Sequence, residues 1–464
     1  MTINYKPHQE RVANKLKTQR GLIAYHGLGS GKTLTSIRSA EKFFGKNIVV
    51  VTPASLRDNF KKELLKAKAK KNYEIYSYEE FSNKKPSLKN KMLILDEAHR
   101  IRSSQSQRSQ IIREKAKEAV KILMLTGTPI QNKPHEIAPL INTLTNKNTL
   151  PLSQSDFESR YLQKNKVQPG FFDRVFRGAS TTTTVSAKNL KDFKSKVKKY
   201  VDHHGSAKNT SDFPEVETSF TDVEMSPSQA ATYRGLAGKA SLAARYAIQN
   251  RLPVSKKELK ELNAFIGAAR QISNTEKAYD AYHSGDTSPK VKRIASTLAK
   301  AKGPSIVYSN YLDSGLNEVS KELKKKKLKH ALYTGSLRDK EKKQIVEEYN
   351  KGKLKALLVS SSGAEGLDLK KTRQVHIMEP HWNDPKIEQV IGRAARFKSH
   401  EGLPKKEQKV NVFRYRSVIP KKKQNIIKKI FGLKNTPETS ADEYLTEMSE
   451  KKLNLNRQFL SQLQ

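Results

Sequence analysis

Short apolar runs punctuate this chain, and their spacing divides it. Leu22-Ile23-Ala24-Tyr25, Ile48-Val49-Val50-Val51, Met92-Leu93-Ile94-Leu95 and Ile122-Leu123-Met124-Leu125 are runs of buried-strand type. Polar stretches compatible with helices separate them, which predicts a parallel sheet covered by helices. From 133 to about 288 the rhythm fades. Helix-compatible stretches of Lys, Ala and Leu alternate there with polar joints such as Ser180-Thr181-Thr182-Thr183-Thr184. Strands return with Ser305-Ile306-Val307-Tyr308-Ser309, Ala356-Leu357-Leu358-Val359, Gln374-Val375-His376-Ile377-Met378 and Val410-Asn411-Val412-Phe413-Arg414-Tyr415. The pattern predicts an α/β protein with one block at 1–150 and a second at 288–420. A mainly helical insertion fills 151–287, and a basic helical tail runs over 421–464.

The ends of the runs carry the candidate chemistry. After Tyr25 comes His26-Gly27-Leu28-Gly29-Ser30-Gly31-Lys32-Thr33, followed by a helix-compatible stretch. Strand, glycine-rich loop and Gly-Lys-Thr at a helix start make the context of a phosphate-binding P-loop. Its backbone N–H groups and the helix N-terminus would cradle phosphates. Lys32 would reach the β- and γ-phosphates, and the Thr33 hydroxyl would ligate Mg²⁺. The pattern asks for glycine where His26 stands. Upstream, Gln9 could pair with adenine through its amide. The run at 92–95 delivers Asp96-Glu97-Ala98-His99 at the end of a strand, where open α/β sheets bind ligands. There Asp96 would hold the Mg²⁺ shell, and Glu97 would orient the attacking water. In the second block Gln389, Arg393 and Arg396 fall at i, i+4 and i+7 of a predicted helix, hence on one face. An arginine from a second body can stabilise a γ-phosphoryl transition state by ~10³–10⁵ in rate. The residues alone predict an ATPase whose site is completed when two domains close.

Charge narrows the partners. Lys and Arg number 89 against 46 Asp and Glu, for a formal charge of +43. That excess points to a polyanion, most simply nucleic acid. The chain has no cysteine, which excludes disulfides, thiolate catalysis and Cys-ligated zinc. No apolar run approaches the ~20 residues that span a bilayer. The first 20 residues lack the apolar core of a signal peptide. The expectation is a soluble, intracellular protein with no membrane contact.

These residues resemble the superfamily 2 helicases, and within them the Swi/Snf-type DNA-dependent ATPases. Asp96 to Arg102 resembles that family's motif II, and Leu125-Thr126-Gly127-Thr128-Pro129-Ile130-Gln131-Asn132 its motif III. Phe213-Pro214 through Gln229 and Tyr233 looks like the inter-lobe segment, and Trp382-Asn383 with Gln389 to Arg396 like motif VI. The stretch from Gln374 to Pro404, together with the His26-to-Thr33 loop, also resembles the ATPases of large DNA viruses. These are poxvirus nucleoside triphosphate phosphohydrolase I and the viral early transcription factor helicase subunit. The chain departs from Swi/Snf in lacking a double glycine between Ser361 and Leu369, and in having Ala395 where a His is common. The resemblance implies two RecA-like lobes with ATP and Mg²⁺ between them and duplex DNA tracked across both. It assigns Gln9, Gly27, Leu28, Gly29, Ser30, Gly31, Lys32, Thr33, Gly366 and Asp368 to the nucleotide. Thr33 and Asp96 go to Mg²⁺, and Asp96 and Glu97 to hydrolysis. Gln389, Arg393 and Arg396 sense the γ-phosphate. Nucleic-acid contacts fall at Pro53, Ser55, Arg57, Asn310, Thr334, Gly335 and Ser361. The reading is a monomeric ATP-dependent double-stranded DNA translocase. The alternatives are a viral-type transcription ATPase acting with RNA polymerase, a strand-separating helicase, and a basic scaffold with a vestigial ATPase.

Overall fold

The computed structural model describes residues 4–27, 29–167, 182–205, 213–253, 259–279, 288–363, 367–382, 384–420 and 438–464. The chain divides into two compact units. The first comprises 1–164, 185–210 and 452–464; the second comprises 165–184 and 211–451.

In the first unit, β1 (Gly21–His26), β2 (Asn47–Thr52), β3 (Asn72–Ser77), β4 (Met92–Asp96) and β5 (Lys121–Thr126) form a parallel sheet. β6 (Leu162–Val167) and β7 (Thr182–Ala187) pair as a separate two-stranded sheet, and β8 (Val201–His204) joins the main one. The order is β3-β2-β4-β5-β1-β8. Strand side chains alternate between faces, and here both faces are buried. Ile23, Val49, Val51, Leu93, Leu95, Ile122 and Met124 enter one core. Leu22, Ala24, Ile48, Val50, Met92, Ile94, Leu123 and Leu125 enter another. This two-sided burial is why the strands read as unbroken apolar runs.

The second unit repeats the plan. β9 (Glu215–Glu224), β10 (Ser305–Ser309), β11 (His330–Tyr333), β12 (Ala356–Ser360), β13 (Gln374–Ile377) and β14 (Lys409–Val418) form a parallel sheet of order β11-β12-β10-β13-β14-β9. Ile306, Tyr308, Leu357 and Val359 face one core, and Val307, Ala356 and Leu358 the other. A helical subdomain, Pro227–Lys239, Leu242–Gln249 and Leu259–Asn274, closes a third core with Ala441, Tyr444 and Leu445.

Among the described residues of 151–287 helices predominate, but two of the strands there belong to the main sheets. β8 has a single apolar residue, Val201, and gives no periodic signal. β9 is an edge strand, paired on one side only along its whole length with β14. It is charged rather than apolar, and cross-strand pairs such as Arg416–Asp222 at 2.6 Å and Lys409–Glu217 at 2.7 Å suit such an edge. The described helix of the tail, Ala441–Leu460, carries Asp442, Glu443, Glu447 and Glu450 against Lys451, Lys452 and Arg457, so the basic excess of 421–464 lies outside this helix. Within the first unit, Phe459 packs on Phe157 and Phe193 at 6.0 and 5.1 Å between ring centroids.

Candidate functional site

The P-loop follows β1 and the helix Lys32–Glu41 follows the loop. Gly29 and Gly31 both have positive φ, +74° and +77°. The positive φ favours glycine at 31, and a Cβ there would also stand 2.8 Å from the Gln9 amide nitrogen, which would have to move. Lys32 Nζ donates to the carbonyls of His26 and Gly27, each at 3.1 Å. Burial lowers the Lys32 pKa, and the carboxylates of Glu97 and Asp96 oppose that shift. A poorly hydrated ammonium held by backbone carbonyls fits a phosphate ligand. Gln9, 2% exposed, accepts from Lys6 N at 2.8 Å and donates to Gly31 O at 3.3 Å. Ser30 donates to Gly27 O at 2.8 Å. The Thr33 hydroxyl makes no hydrogen bond among the described residues. Leu28 lies outside them.

Asp96 ends β4 at the same carboxyl edge. One oxygen accepts from the Thr52 hydroxyl and the other from Glu97 N, both at 3.0 Å. Burial, with the Glu97 charge second, pushes Asp96 up to about 6. A buried carboxyl raised by a second carboxylate is a group that a divalent cation would stabilise. Asp96 and Thr33 therefore fit Mg²⁺, which when bound would neutralise charge on the phosphates. Glu97 has φ +52°, in the left-handed region that is costly for a side chain. Its carboxylate lies 3.4 Å from His99 Nδ1, which also lies 3.4 Å from the Thr126 hydroxyl at the end of β5. Burial drives His99 down to about 4, so the ring is neutral. Beyond Thr126, a Cβ on Gly127 would stand 3.7 Å from Lys32 Nζ. The loops after β1, β4 and β5 thus converge around Lys32. Glu136 fixes the end of the third, accepting from Gln131 N and Asn132 N at 2.9 and 2.8 Å.

In the second unit the helix Asp384–Ala394 carries exposed Gln389 and half-buried Arg393. Arg396 lies past its end, which corrects the reading of one face for all three residues. The helix closes with Ala395 N bonded to Ile391 O, and the chain then turns, Ser399 N donating to Arg396 O. Arg396 instead meets Asp368, Nη1 to Oδ1 at 3.3 Å, which joins two separately proposed nucleotide residues. Gly366 lies outside the described residues.

The proposed nucleic-acid contacts also sit just beyond carboxyl ends of strands. Pro53 is buried after β2, Ser55 is exposed, and Arg57 is bound to Glu80 at 2.8 Å. Gly335 N donates to the Ser362 hydroxyl at 3.2 Å, and Thr334 bonds Ser336. This brings the loops after β11 and β12 together, with half-buried Ser361 beside Ser362. Asn310 N donates to Glu379 Oε1 at 2.6 Å.

The model of the SNF2-related domain matches residues 65–278, and that of the helicase conserved C-terminal domain matches 289–398. A protein of Acanthamoeba polyphaga mimivirus named as an ATP-dependent RNA helicase is 32% identical, over 98% of this chain and 95% of its own. This chain belongs to the SNF2-related branch of the superfamily 2 helicases. A second mimivirus protein named in the same way is 30% identical, over 88% of this chain and 81% of its own. The termination factor NPH-I homologue of African swine fever virus (isolate Tick/Malawi/Lil 20-1/1983) is 26% identical, over 87% and 70%. The Hef helicase domain of Pyrococcus furiosus superposes at a TM-score of 0.49, with 16% identity over 92% of this chain and 97% of that one. Family membership makes the chain a helicase-type ATPase that uses ATP and acts on nucleic acid. No described helix is long and apolar enough to cross a membrane.

Sequence reasoning missed four residues that shape the site. Thr52 and Glu136 act through hydrogen bonds to groups distant in the chain or to backbone, and have no motif spacing of their own. His99 stands inside the recognised Asp-Glu-Ala-His, but its link to Thr126 needs the fold. Asp202, on the cryptic β8, accepts from P-loop residue His26 at 3.0 Å.

Proposed function

We propose that the chain is an ATP-dependent translocase that moves along double-stranded DNA without separating its strands. The observation that carries the motor reading is the convergence of Lys32, Asp96–Glu97 and the Thr126–Gly127 loop at one sheet edge. Lys32 holds the β- and γ-phosphates, and Asp96 with Thr33 holds Mg²⁺. Glu97 orients the attacking water as it displaces ADP from the γ-phosphorus. Arg393 and Arg396 stabilise the charge that develops on the transferred group. Gln9, Gly366 and Asp368 belong to the nucleotide site. Pro53, Ser55, Arg57, Asn310, Thr334, Gly335 and Ser361 contact phosphates rather than bases, so binding is largely independent of sequence.

Support for duplex tracking comes from the SNF2-related match over 65–278. Strand separation needs an aromatic platform or wedge for unstacked bases. Among the described residues of 133–288, the ring clusters serve packing instead. Phe157, Tyr161 and Phe193 are fully buried, and Tyr233 packs on Phe265 in the helical core. Exposed Phe220 lies beneath the guanidinium groups of Arg414 and Arg416. A second reading, a transcription ATPase working with RNA polymerase, draws support from the relative named as a termination factor. It uses the same motor.

Two assays with the purified chain test the proposal. ATP-driven displacement of a triplex-forming third strand, without unwinding of a forked duplex, is the expected result. Efficient unwinding of a long fork would assign the chain to strand-separating helicases, and unwinding of RNA alone would assign it to the activity in the names of its mimivirus relatives.

A further inference from the structure

Asp202 lies far from every recognised motif, yet three cations or imidazoles converge on it. It is 1% exposed. His26 Nε2 lies 3.0 Å from Oδ1. Arg11 binds both oxygens, at 2.8 and 2.9 Å, and Lys15 Nζ lies 2.8 Å from Oδ2. Burial works to raise the Asp202 pKa, but these hydrogen bonds prevail and hold the carboxyl well below its ordinary range. The hydrogen bonds thus favour its anionic form.

The three partners belong to two elements of the nucleotide site. His26 is the first residue of the P-loop, at the position where the pattern has glycine, and it is wholly buried. Its carbonyl receives Lys32 Nζ. Arg11 and Lys15 lie on the helix Pro7–Thr18, about one and two turns after His8, the neighbour of Gln9. His8 Nε2 bonds Ser30 O at 2.8 Å, and its ring stacks on that of His204 at 3.8 Å and 8°. Both rings are held below the usual imidazole range chiefly by burial, so they stack as neutral groups. β8 adds backbone links, Gly27 N to His204 O at 2.9 Å and Arg11 Nη2 to His203 O at 3.1 Å.

We propose that Asp202 is a positioning residue for the nucleotide, locking the P-loop through His26 and the Gln9-bearing helix through Arg11 and Lys15 into one binding-competent arrangement. This rests on the ATP site set out above. A glycine at position 26 has no side chain to hold, so a P-loop of the ordinary pattern has no use for such a carboxylate. Here the loop begins with a large buried ring, and the ring's place is set by a strand 176 residues further along the chain. Asp202 touches neither phosphate nor base. Without it, the competent arrangement is one of several, and apparent affinity falls by the fraction populated. Saturating ATP then selects the competent form, and Lys32, Asp96 and Glu97 act as before.

The test uses the full chain, a fluorescent ATP analogue for binding, and steady-state hydrolysis. Asp202→Ala should raise the analogue's Kd and the KM for ATP about tenfold or more, with kcat within about threefold. Asp202→Asn keeps one acceptor for the His26 ring and should fall between it and the parent. If Asp202→Ala does not fold, Arg11→Gln/Lys15→Gln carries the test, since both side chains are more than 40% exposed. A rise in KM of about threefold or more supports the inference, and no rise overturns it. An Asp202→Ala protein that binds the analogue as the parent does, while Lys32→Ala abolishes binding, overturns the inference and leaves the ATP site standing. A parent that binds no ATP analogue overturns the ATP reading itself.

Discussion

Asp96→Asn should make the metal-free protein more stable at neutral pH, although it removes a residue placed in the proposed ATP site. Burial, then the Glu97 charge, raises the Asp96 pKa from 3.8 to about 6. The folded state thus holds this proton more tightly than the unfolded chain. Its contribution to stability is fully present below about pH 4 and is lost as pH rises from about 4 to about 6. At ~1.36 kcal/mol per pH unit, the loss is about 3 kcal/mol at neutral pH. Asn is neutral and keeps the geometry. Its Oδ1 can accept from Glu97 N, and its Nδ2 can donate to Thr52 Oγ1, because a hydroxyl turns from donor to acceptor. The shifted pKa already includes both hydrogen bonds to the charged carboxyl, so the gain is the whole of that loss, about 3 kcal/mol at pH 7.5, and none at pH 4. Urea unfolding followed by circular dichroism, in EDTA at both pH values, reads this difference. Adding Mg²⁺ with a non-hydrolysable nucleotide should stabilise the parent more than the variant. A variant less stable than the parent at pH 7.5, or a difference independent of pH, would refute the argument.

Glu97→Gln should leave ATP affinity within about threefold and lower kcat by about 100-fold or more, since Asp96, the proposed metal ligand, is spared and the proposed water contact is lost; single-turnover hydrolysis checks it. Arg393→Ala/Arg396→Ala should lower kcat by about 10³-fold with little change in nucleotide Kd, and hydrolysis at the parental rate would remove both residues from the ATP reaction. Asp442→Ala should destabilise the second unit by about 3–5 kcal/mol in urea unfolding. It leaves the Lys290 ammonium, 1% exposed and 3.0 Å from Asp442, with Asn274 Oδ1 at 3.2 Å but no counter-charge there, and takes the acceptor from Ser417 N; a loss below about 1 kcal/mol would show that the pair is dispensable.

The strands that build both sheets were legible because parallel strands buried on two faces must be apolar at every position, as in β4 and β5. The edge strands were not. β9 faces a partner on one side only and is largely exposed, so it reads as a polar connection. β8 has four residues, and its defining side chain is a carboxylate. The proposed ATP-site residues Lys32, Asp96 and Glu97 could be read from motifs because phosphate and metal chemistry constrains residue type and spacing within each loop. The groups that hold them could not. Thr52 and Asp202 act across 44 and 176 residues, and Glu136 on two backbone N–H groups, through hydrogen bonds that only the fold creates. Arg396 shows the converse error. Its i+7 spacing from Gln389 implied a shared face, but the helix stops two residues earlier.

ATP turnover with no nucleic acid, with duplex DNA, with single-stranded DNA and with RNA tests the central claim most directly. Stimulation by duplex DNA of about tenfold or more, weaker with single strands or RNA and abolished by Lys32→Ala, is the result predicted. Turnover stimulated at least as strongly by RNA or single-stranded DNA, or unaffected by any nucleic acid, would contradict it.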